Sequence, residues 1–332
     1  MSGPVVRLVG LDDIRAAADR LTGVAIRTPL LVFGPPERRH FLKAESLQPI
    51  GAFKIRGAYN AIAQLAATER ALGVVAHSSG NHAQGVARAA RLLGVHAVVV
   101  MPSDAPSLKR ARVEADGAEI VTVGPASGER EAMAERLAVE RGLVPIPPYD
   151  DDRIIAGQGT AGLEIVESLP DLAAVLVPIG GGGLASGIAV AVKALHPAAR
   201  VVGVEPELAA DARESLRTGR IVRWDGALTS RTMADGTRTQ SLGRRPFEHL
   251  SRLLDDVITV TEAEIAAAVR LAAEECRIVV EPSGALSIAA LRFRAAEAGI
   301  AMAAGPVVAL VSGGNVDPAL YRRLLSSPLP PA

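Results

Sequence analysis

Short runs rich in β-branched residues alternate with longer Ala-, Leu-, Glu- and Arg-rich segments along most of this chain. The short runs have the length and composition of strands buried on both faces, and the longer segments have helical spacing. Buried strands separated by helices form parallel sheets with right-handed crossovers, so the pattern predicts an α/β fold. The predicted strands are Val74–Ala76, Ala97–Met101, Glu119–Val123, Ala174–Ile179, Val201–Glu205, Val257–Val260 and Val307–Val311, and the predicted helices include Gln84–Leu93, Glu129–Arg141, Leu184–Leu195, Glu262–Cys276 and Ala285–Ala298.

The charge balance and composition limit the kinds of partner. Lys+Arg and Asp+Glu both number 36, and aromatic residues make up 3% of the chain, which argues against nucleic acid. No apolar run approaches the roughly 20 residues of a membrane span, so no membrane partner is expected. Cys276 is the only cysteine, which fits a reducing compartment and predicts a cytoplasmic protein. The expected partner is a small, near-neutral substrate.

Four consecutive glycines follow one predicted strand and open the next helix. Glycine lets the backbone approach a ligand closely, and the N–H groups and dipole at a helix start favour an anion. The segment is therefore interpreted as a phosphate-binding loop that needs no basic side chain. Gly180, Gly182 and Ala185 also loosely fit a dinucleotide fingerprint with Glu205 as ribose acceptor, so this segment alone leaves an NAD-binding enzyme open.

Three other segments carry unusual chemistry, although each also has an ordinary explanation as a helix cap, a surface lysine or a turn. The segment 78–82, Ser-Ser-Gly-Asn-His, offers hydroxyl and N–H groups at a helix start, which suits a carboxylate. Lys54 lies between Phe53 and Ile55, where a partly buried amine loses its proton more easily and forms Schiff bases with carbonyls. Ser312 follows the last strand and offers a hydroxyl to a ring nitrogen.

In this order along the chain, the segments 51–58, 78–82, 180–183 and 312–315 resemble the fold-type II enzymes that use pyridoxal 5′-phosphate (PLP). The specific resemblance is to the serine/threonine dehydratase and serine racemase group, whose fold is tryptophan synthase β-like. It implies PLP as cofactor, a homodimer, and two parallel-sheet α/β domains with the active site between them. Residues 1–65 and 150–332 would form the large PLP-binding domain, and residues 66–149 a small domain inserted in it.

The resemblance also implies the roles of individual residues, and it leaves little support for NAD, which would give Lys54 and Ser312 no function. Lys54 and Ser79 match the two groups that exchange protons with the substrate, Ser79 being the opposite-face acid/base of the racemases. The remaining matches are Phe53 beside the PLP ring, Gly180, Gly181, Gly182, Gly183 and Leu184 around the phosphate, Asn81 at the 3′-oxygen, Ser312 at the ring nitrogen, and Ser78, Ser79, Gly80, His82 and Gln158 at the substrate.

Two departures from the family pattern and one spacing bear on substrate and metal. Ala52 stands where the family usually has Ser, which alters the hydrogen bonding available to a substrate. Pro147 stands where the family often has His. Glu205, the carbonyl of Ala209, and Asp211 match the cation ligands of serine racemase in spacing, and hard oxygen ligands suit Mg²⁺ or Ca²⁺.

The expected function is a PLP-dependent ammonia-lyase, or dehydratase, that converts L-threonine, L-serine or both into a 2-oxo acid and ammonia. Serine racemase activity is an alternative, because Ser79 permits it. A threo-3-hydroxyaspartate dehydratase is a second alternative, with Arg130 as the cation for the additional carboxylate. A PLP-binding protein without catalytic activity is a remote one.

Overall fold

The computed structural model describes residues 7–78, 80–105, 107–125, 127–300 and 304–330 of the chain. Within these ranges, ten strands form two separate sheets. The strands are β1 (Leu30–Val32), β2 (His40–Ala44), β3 (Val74–His77), β4 (Ala97–Pro102), β5 (Glu119–Val123), β6 (Val144–Pro145), β7 (Ala174–Pro178), β8 (Arg200–Pro206), β9 (Asp256–Val260) and β10 (Val307–Val311).

Fourteen α-helices connect and cover these strands in the described part of the chain. They are α1 (Leu11–Leu21), α2 (Lys54–Ala63), α3 (Ala67–Leu72), α4 (Asn81–Leu93), α5 (Ser107–Ala115), α6 (Ser127–Arg141), α7 (Asp152–Ser168), α8 (Gly183–Leu195), α9 (Asp211–Thr218), α10 (Gly226–Thr229), α11 (Arg244–Leu253), α12 (Glu262–Cys276), α13 (Pro282–Phe293) and α14 (Pro318–Leu325). Three short 3₁₀ helices lie at Pro36–Arg38, Glu45–Leu47 and Asp235–Thr237.

The larger sheet has six strands in the order β1-β2-β10-β7-β8-β9, and all neighbours are parallel except β1 and β2. Alternate residues of its strands face two different cores. Val307, Ala309 and Val311 of β10 pack with helices α12 and α13. Val308 and Leu310 pack with helices α1, α7 and α8 on the other face. Both faces are thus buried, as a sheet built from crossover helices requires.

The smaller sheet has four parallel strands in the order β5-β4-β3-β6. Val98 and Val100 of β4 face helix α6, while Val99 and Met101 face helices α4 and α5. The predicted α/β fold with parallel-strand sheets is therefore confirmed. The proposed domain boundaries near residues 65 and 150 stay a prediction, although all four strands of the smaller sheet lie between them.

All seven predicted strands are present, and three further strands were not predicted. Strands β1 and β6 have only three and two residues, too short for a periodic pattern. Strand β2 contains the buried Lys43. A charged residue is not expected in a strand that is covered on both faces, so the sequence pattern did not predict this strand. Helix α13 begins three residues earlier than predicted, because Pro282 is well placed at the first helical position, and it ends at Phe293. None of the described helices has the length and apolar character needed to cross a bilayer.

Candidate active site

Four helices begin in one region, at the carboxyl ends of strands from both sheets. Helix α2 begins at Lys54, α4 at Asn81 after β3, α8 at Gly183 after β7, and α13 at Pro282. Helix starts carry free N–H groups and partial positive charge, so this region favours an anionic ligand. The position agrees with the general rule that open α/β sheets bind ligands at strand carboxyl ends.

Lys54 places an amine in the middle of this region. Its Nζ donates a 2.7 Å hydrogen bond to the carbonyl of Pro148 and lies 5.1 Å from the centre of the Phe53 ring. The amine end is enclosed, and burial lowers the pKa of Lys54 to about 8. An amine with this pKa is neutral in a useful fraction of molecules near physiological pH, so it can act as a nucleophile or accept a proton.

The glycine loop lies against Tyr149, the residue after the carbonyl that Lys54 contacts. A Cβ atom on Gly181 would come within 2.3 Å of the Tyr149 ring, and one on Gly183 within 3.0 Å of its Cα. Gly182 has φ +93°, which favours glycine. Among the described residues, Gly180, Gly181 and Gly182 donate their N–H groups to no backbone carbonyl. The loop therefore offers unused donors to an anion.

A hydroxyl beside this loop also lacks a partner. Thr239 Oγ1 is buried without a hydrogen bond in the described structure, 3.6 Å from the place that a Cβ on Gly180 would occupy. Buried hydroxyls without partners are rare in folded proteins and call for a ligand or water. The unused backbone donors, this hydroxyl and the low pKa of Lys54 together fit a phosphate-bearing aldehyde such as PLP.

Ser312 and Asn81 lie near each other, since a Cβ on Gly313 would come within 3.1 Å of Asn81 Nδ2. The backbone N–H of Phe53 donates to the carbonyl of Ser312 at 3.1 Å, and the Ser312 hydroxyl donates a long 3.3 Å bond to the carbonyl of Ser283. Asn81 Nδ2 donates to Oε1 of Glu281 at 2.6 Å. The structure thus brings Ser312, Asn81, Phe53 and Lys54 into one region, as predicted from the sequence.

The described residues on either side of Ser79 have defined hydrogen-bond partners. The Gly80 N–H donates to Ser78 Oγ at 3.1 Å. His82 is buried with Nε2 2.9 Å from the carbonyl of Ile146, and burial lowers the pKa of His82 to about 3, with Lys54 as a further cause. His82 is thus neutral and its ring is engaged by the backbone, which does not suit a general base. Ser79 lies outside the described residues.

Gln158 belongs to helix α7 and contacts the backbone of helix α2. It is buried between helices α2 and α7, where its Oε1 accepts a hydrogen bond from the Gly57 N–H at 3.2 Å. Its position is that of a side chain joining two helices, and its predicted role at the substrate stays untested. Leu184 lies in the first turn of α8 and is buried, next to the glycine loop as expected.

The residues predicted to hold a cation lie at the end of strand β8, in the loop after it and at the start of α9. Glu205 and Asp211 are both buried, and Glu205 accepts hydrogen bonds from the backbone of Ala212 at 2.9 Å and Arg213 at 2.7 Å. Asp211 Oδ2 has no partner in the described part of the chain. Burial raises the pKa of Asp211 to about 7, and burial and Asp211 raise the pKa of Glu205 well above its usual value. No group of three or more His, Cys, Asp or Glu side chains suited to a metal occurs among the described residues.

Several site residues were not predicted from the sequence. Glu281 is buried with Oε2 unpartnered among the described residues, and burial, with Asp235 adding to it, raises its pKa to about 7. Lys109 reaches from α5 to Asp235 at 2.7 Å, and its Nζ lies 3.3 Å from the place of a Cβ on Gly80. The only sequence signal for Glu281 was its place just before Pro282 at a helix start. Nothing in the sequence pattern distinguished Lys109 from a surface lysine.

This combination of an α/β fold, an enclosed lysine and an anion-binding glycine loop defines a class of enzyme that binds a phosphate-bearing carbonyl cofactor. Residues 21–313 match the family model described as pyridoxal-phosphate dependent enzyme. The chain belongs to this family. The predicted cofactor, PLP, and the predicted fold-type II enzyme class are therefore confirmed.

Relatives with known names cover nearly the whole chain. The chain is 42% identical over 329 residues to an L-threo-3-hydroxyaspartate ammonia-lyase of Pseudomonas sp, covering 96% of this chain and 99% of that protein. It is 40% identical over 326 residues to an L-threonine ammonia-lyase of Thermotoga maritima, covering 97% of this chain and 79% of that protein.

Solved structures give the same result. A threonine deaminase from T.th. has a TM-score of 0.85 and 46% identity, covering 93% of this chain and 99% of its own. Maize serine racemase has a TM-score of 0.89 and 37% identity, covering 96% of this chain and 97% of its own. The prediction of a PLP-dependent enzyme of the ammonia-lyase type, related to the serine racemases, is confirmed by these similarities.

Proposed function

We propose that this protein is a PLP-dependent ammonia-lyase that removes water and ammonia from L-threonine, L-serine or both and releases a 2-oxo acid. The observation that carries the proposal is the enclosed Lys54 amine, with its pKa near 8, at the start of α2 beside the glycine loop. The names of the relatives, including threonine ammonia-lyase and threonine deaminase, support the substrate class.

The structure supports a set of residues that would hold PLP. The N–H groups of Gly180, Gly181, Gly182, Gly183 and Leu184 would bind the phosphate, since they lie at the start of α8 and the first three have no backbone partner among the described residues. Asn81 would hold the 3′-oxygen, Ser312 the ring nitrogen and Phe53 the ring. When bound, PLP supplies the electron sink that stabilises negative charge at the substrate α-carbon.

Lys54 moves the α-proton in this proposal. Its lowered pKa suits a base that operates near neutral pH, because a matched pKa combines the deprotonated form with sufficient basicity. The carbonyl of Pro148 holds the amine at 2.7 Å and fixes its direction. The segment 78–82 receives the substrate carboxylate at the start of α4, where N–H groups and the helix dipole favour an anion.

The choice among substrates depends on groups at the rim of the site. Two relatives at 42% and 40% identity are named L-threo-3-hydroxyaspartate ammonia-lyase, so a dicarboxylate is the second candidate. Arg130 in the first turn of α6 is the proposed cation for its additional carboxylate. Serine racemisation is the third candidate, with Ser79 as the acid/base on the opposite face and a serine racemase at 40% identity.

One assay series distinguishes these candidates. Purified enzyme is supplied with L-threonine, L-serine, D-serine and L-threo-3-hydroxyaspartate, and 2-oxo acid and D-serine are measured in the same reactions. The proposal expects kcat/KM for 2-oxo acid release to be highest with threonine or serine. A higher value with hydroxyaspartate, lost in Arg130→Met, would support the dicarboxylate candidate. More D-serine than pyruvate from L-serine, lost in Ser79→Ala, would support the racemase.

We also propose that Glu205, the Ala209 carbonyl and Asp211 bind a divalent cation such as Mg²⁺ or Ca²⁺. Two buried carboxylates close in sequence repel each other, and the unpartnered Oδ2 of Asp211 is suited to a hard cation. The cation would stabilise the loop after β8. Mg²⁺ or Ca²⁺ should therefore raise the melting temperature of EDTA-treated protein, and this rise should be absent in Asp211→Asn; equal curves would contradict the site.

We also propose that the protein is a homodimer located in the cytoplasm. Val32, Leu47 and Val279 are each about half exposed (50%, 43% and 49%). Cys276 Sγ lies 3.4 Å from the Val32 carbonyl, and Gly314 lies between Ser46 and Val279, so the three apolar residues belong to one side of the molecule. Sedimentation of Val279→Glu as a monomer beside a dimeric parent would support this surface. A parent protein that sediments as a monomer would contradict it.

A further inference from the structure

Arg112 of helix α5 contacts a residue that the proposed mechanism does not use. Its Nη1 donates a short hydrogen bond to Oδ1 of Asn315, in the loop after β10. Arg112 belongs to the smaller-sheet part of the chain and Asn315 follows the last strand of the larger sheet. The bond therefore spans the two sheets at the edge of the candidate active site.

The Asn315 amide has only one orientation in which all its groups are satisfied. Its Oδ1 accepts from Arg112, so its Nδ2 donates, to the carbonyl of Ile50 at 2.8 Å and to Oδ1 of Asn81 at 2.8 Å. Arginine has donors and no acceptor, so it enforces this polarity. Asn315 is 7% exposed, and water cannot easily replace a lost bond there.

The polarity continues through Asn81. Because Asn81 Oδ1 accepts from Asn315, its Nδ2 must point to the other side, where it donates to Oε1 of Glu281 at 2.6 Å. An amide nitrogen carries two hydrogens, so one remains for a ligand. In each of these three hydrogen bonds the donor is on the side of Arg112 and the acceptor on the side of Glu281. The chain of bonds thus joins a cation on α5 to a buried carboxyl group before α13.

We propose that Arg112, acting through Asn315, is a positioning residue that fixes the donor side of the Asn81 amide toward the PLP 3′-oxygen. The inference rests on the proposed role of Asn81. A 3′-oxygen with negative charge needs a donor, and a reversed Asn81 amide would present its Oδ1 instead. Arg112 thereby strengthens PLP binding without touching the cofactor.

The test compares Arg112→Met with Arg110→Met, a matched control on the same helix. Arg110 bonds to Glu114 at 3.3 Å and Thr122 at 3.0 Å, away from Asn315. PLP dissociation constants and visible absorption spectra of the PLP-loaded proteins are measured at one pH, with apoprotein melting as a check of folding. Arg112→Met should raise the PLP dissociation constant about tenfold, as expected for one charge-assisted hydrogen bond. Arg112→Met should also change the ratio of the visible absorption bands of bound PLP.

Two more variants separate this inference from the proposed function. Arg112→Lys keeps a donor for Asn315 and should restore both values to near those of the parent protein. Asn81→Ala should change both values at least as much as Arg112→Met. If Asn81→Ala changes them and Arg112→Met behaves like Arg110→Met, the positioning role is wrong and the proposed function stands. If Asn81→Ala changes neither value, the role of Asn81 is wrong and the inference fails with it.

Discussion

At the scale of single residues, the proposed chemistry depends on Lys54. A lysine becomes useful as a base or nucleophile only when something disfavours its charged form, and here burial does so. The same burial is a cost to the folded protein without cofactor. Lys54 thereby connects function with stability, which makes its environment measurable without any assay of catalysis.

The first prediction uses that connection. The folded pKa of Lys54, about 8, lies below the ordinary value of 10.5. Its burial therefore costs stability fully below pH 8, and the cost disappears as the pH rises from about 8 to 10.5. This difference between the folded and ordinary pKa values of Lys54 corresponds to a cost of about 3 kcal/mol in unfolding free energy. Lys54→Met apoprotein should thus be more stable than the parent at pH 7 by up to this amount, in denaturant unfolding, with a smaller advantage near pH 10.5. An advantage that does not change with pH would contradict the enclosed amine.

A second residue-scale prediction concerns the glycine loop. Gly181→Ala would put a Cβ within 2.3 Å of the Tyr149 ring, so the loop must shift. The expected cost is about 1–3 kcal/mol of unfolding free energy, as for other overpacked sites, with a large loss of PLP retained after dialysis. Gly128→Ala is the control, because no atom of the described residues lies within 4 Å of its Cβ position. Equal PLP retention in both variants would show that the loop tolerates a side chain and does not hold the phosphate closely.

At the scale of elements, a buried charge cluster fixes the helix that begins with Lys54. Arg56 of α2 bonds to Glu45 at 2.7 Å and to Glu164 of α7 at 2.7 Å, and Lys43 of β2 also pairs with Glu164. Arg56, Glu45 and Lys43 are almost fully buried. Two cations and two carboxylates balance, so the cluster joins α2, α7 and β2 without net charge.

Removing one member should leave an uncompensated charge. Glu45→Gln should lower the unfolding free energy by about 3–5 kcal/mol, the range for breaking a buried pair. Asp171→Asn is the comparison, since Asp171 pairs with Arg39 on the surface, where solvent screens the pair, and its loss should be much smaller. Denaturant unfolding of both variants measures the difference. Similar losses in the two variants would mean that the cluster does not stabilise the elements around Lys54.

The sequence predicted elements well where the pattern was long and repetitive. Helix α12 begins and ends at the predicted residues, because Thr261 and Glu264 form a capping box and the interior is a regular Ala-rich run. Strand β2 was missed, because its Lys43 is neutralised by Glu164, which is distant in the sequence. Pairing between charges 121 residues apart is a tertiary property that local pattern does not contain.

At the scale of the whole molecule, the site is assembled from both sheets. Asn81 follows β3 of the smaller sheet, and Ser312 and the glycine loop follow strands of the larger sheet. Lys109 and Arg112 of α5 reach across to Asp235 and Asn315. The sequence indicated that residues following parallel strands share one edge, because parallel strands carry their loops there, and the structure brings these residues into one region; their roles stay a prediction.

Contacts between residues of the two sheets could not be predicted from the sequence. Lys109 has no distinguishing neighbours in the chain and Glu281 has only the following Pro282, so what sets them apart is burial and the partners that folding brings near. Gln158 shows the reverse. Its motif resembles the family and its side chain joins α2 and α7 through the Gly57 N–H, a contact that the sequence did not predict, while its role at the substrate stays a prediction.

The central claim is that Lys54 is the residue that binds PLP and moves the α-proton, and one measurement tests it most directly. Purified holoenzyme is reduced with borohydride, digested, and the modified lysine is located by mass spectrometry. The account predicts one PLP-derived label, on Lys54, and loss of both the label and 2-oxo acid formation in Lys54→Ala, while Lys109→Ala keeps its label on Lys54. A label on Lys109, Lys43 or Lys193 in the parent protein, or a labelled and active Lys54→Ala, would contradict the account.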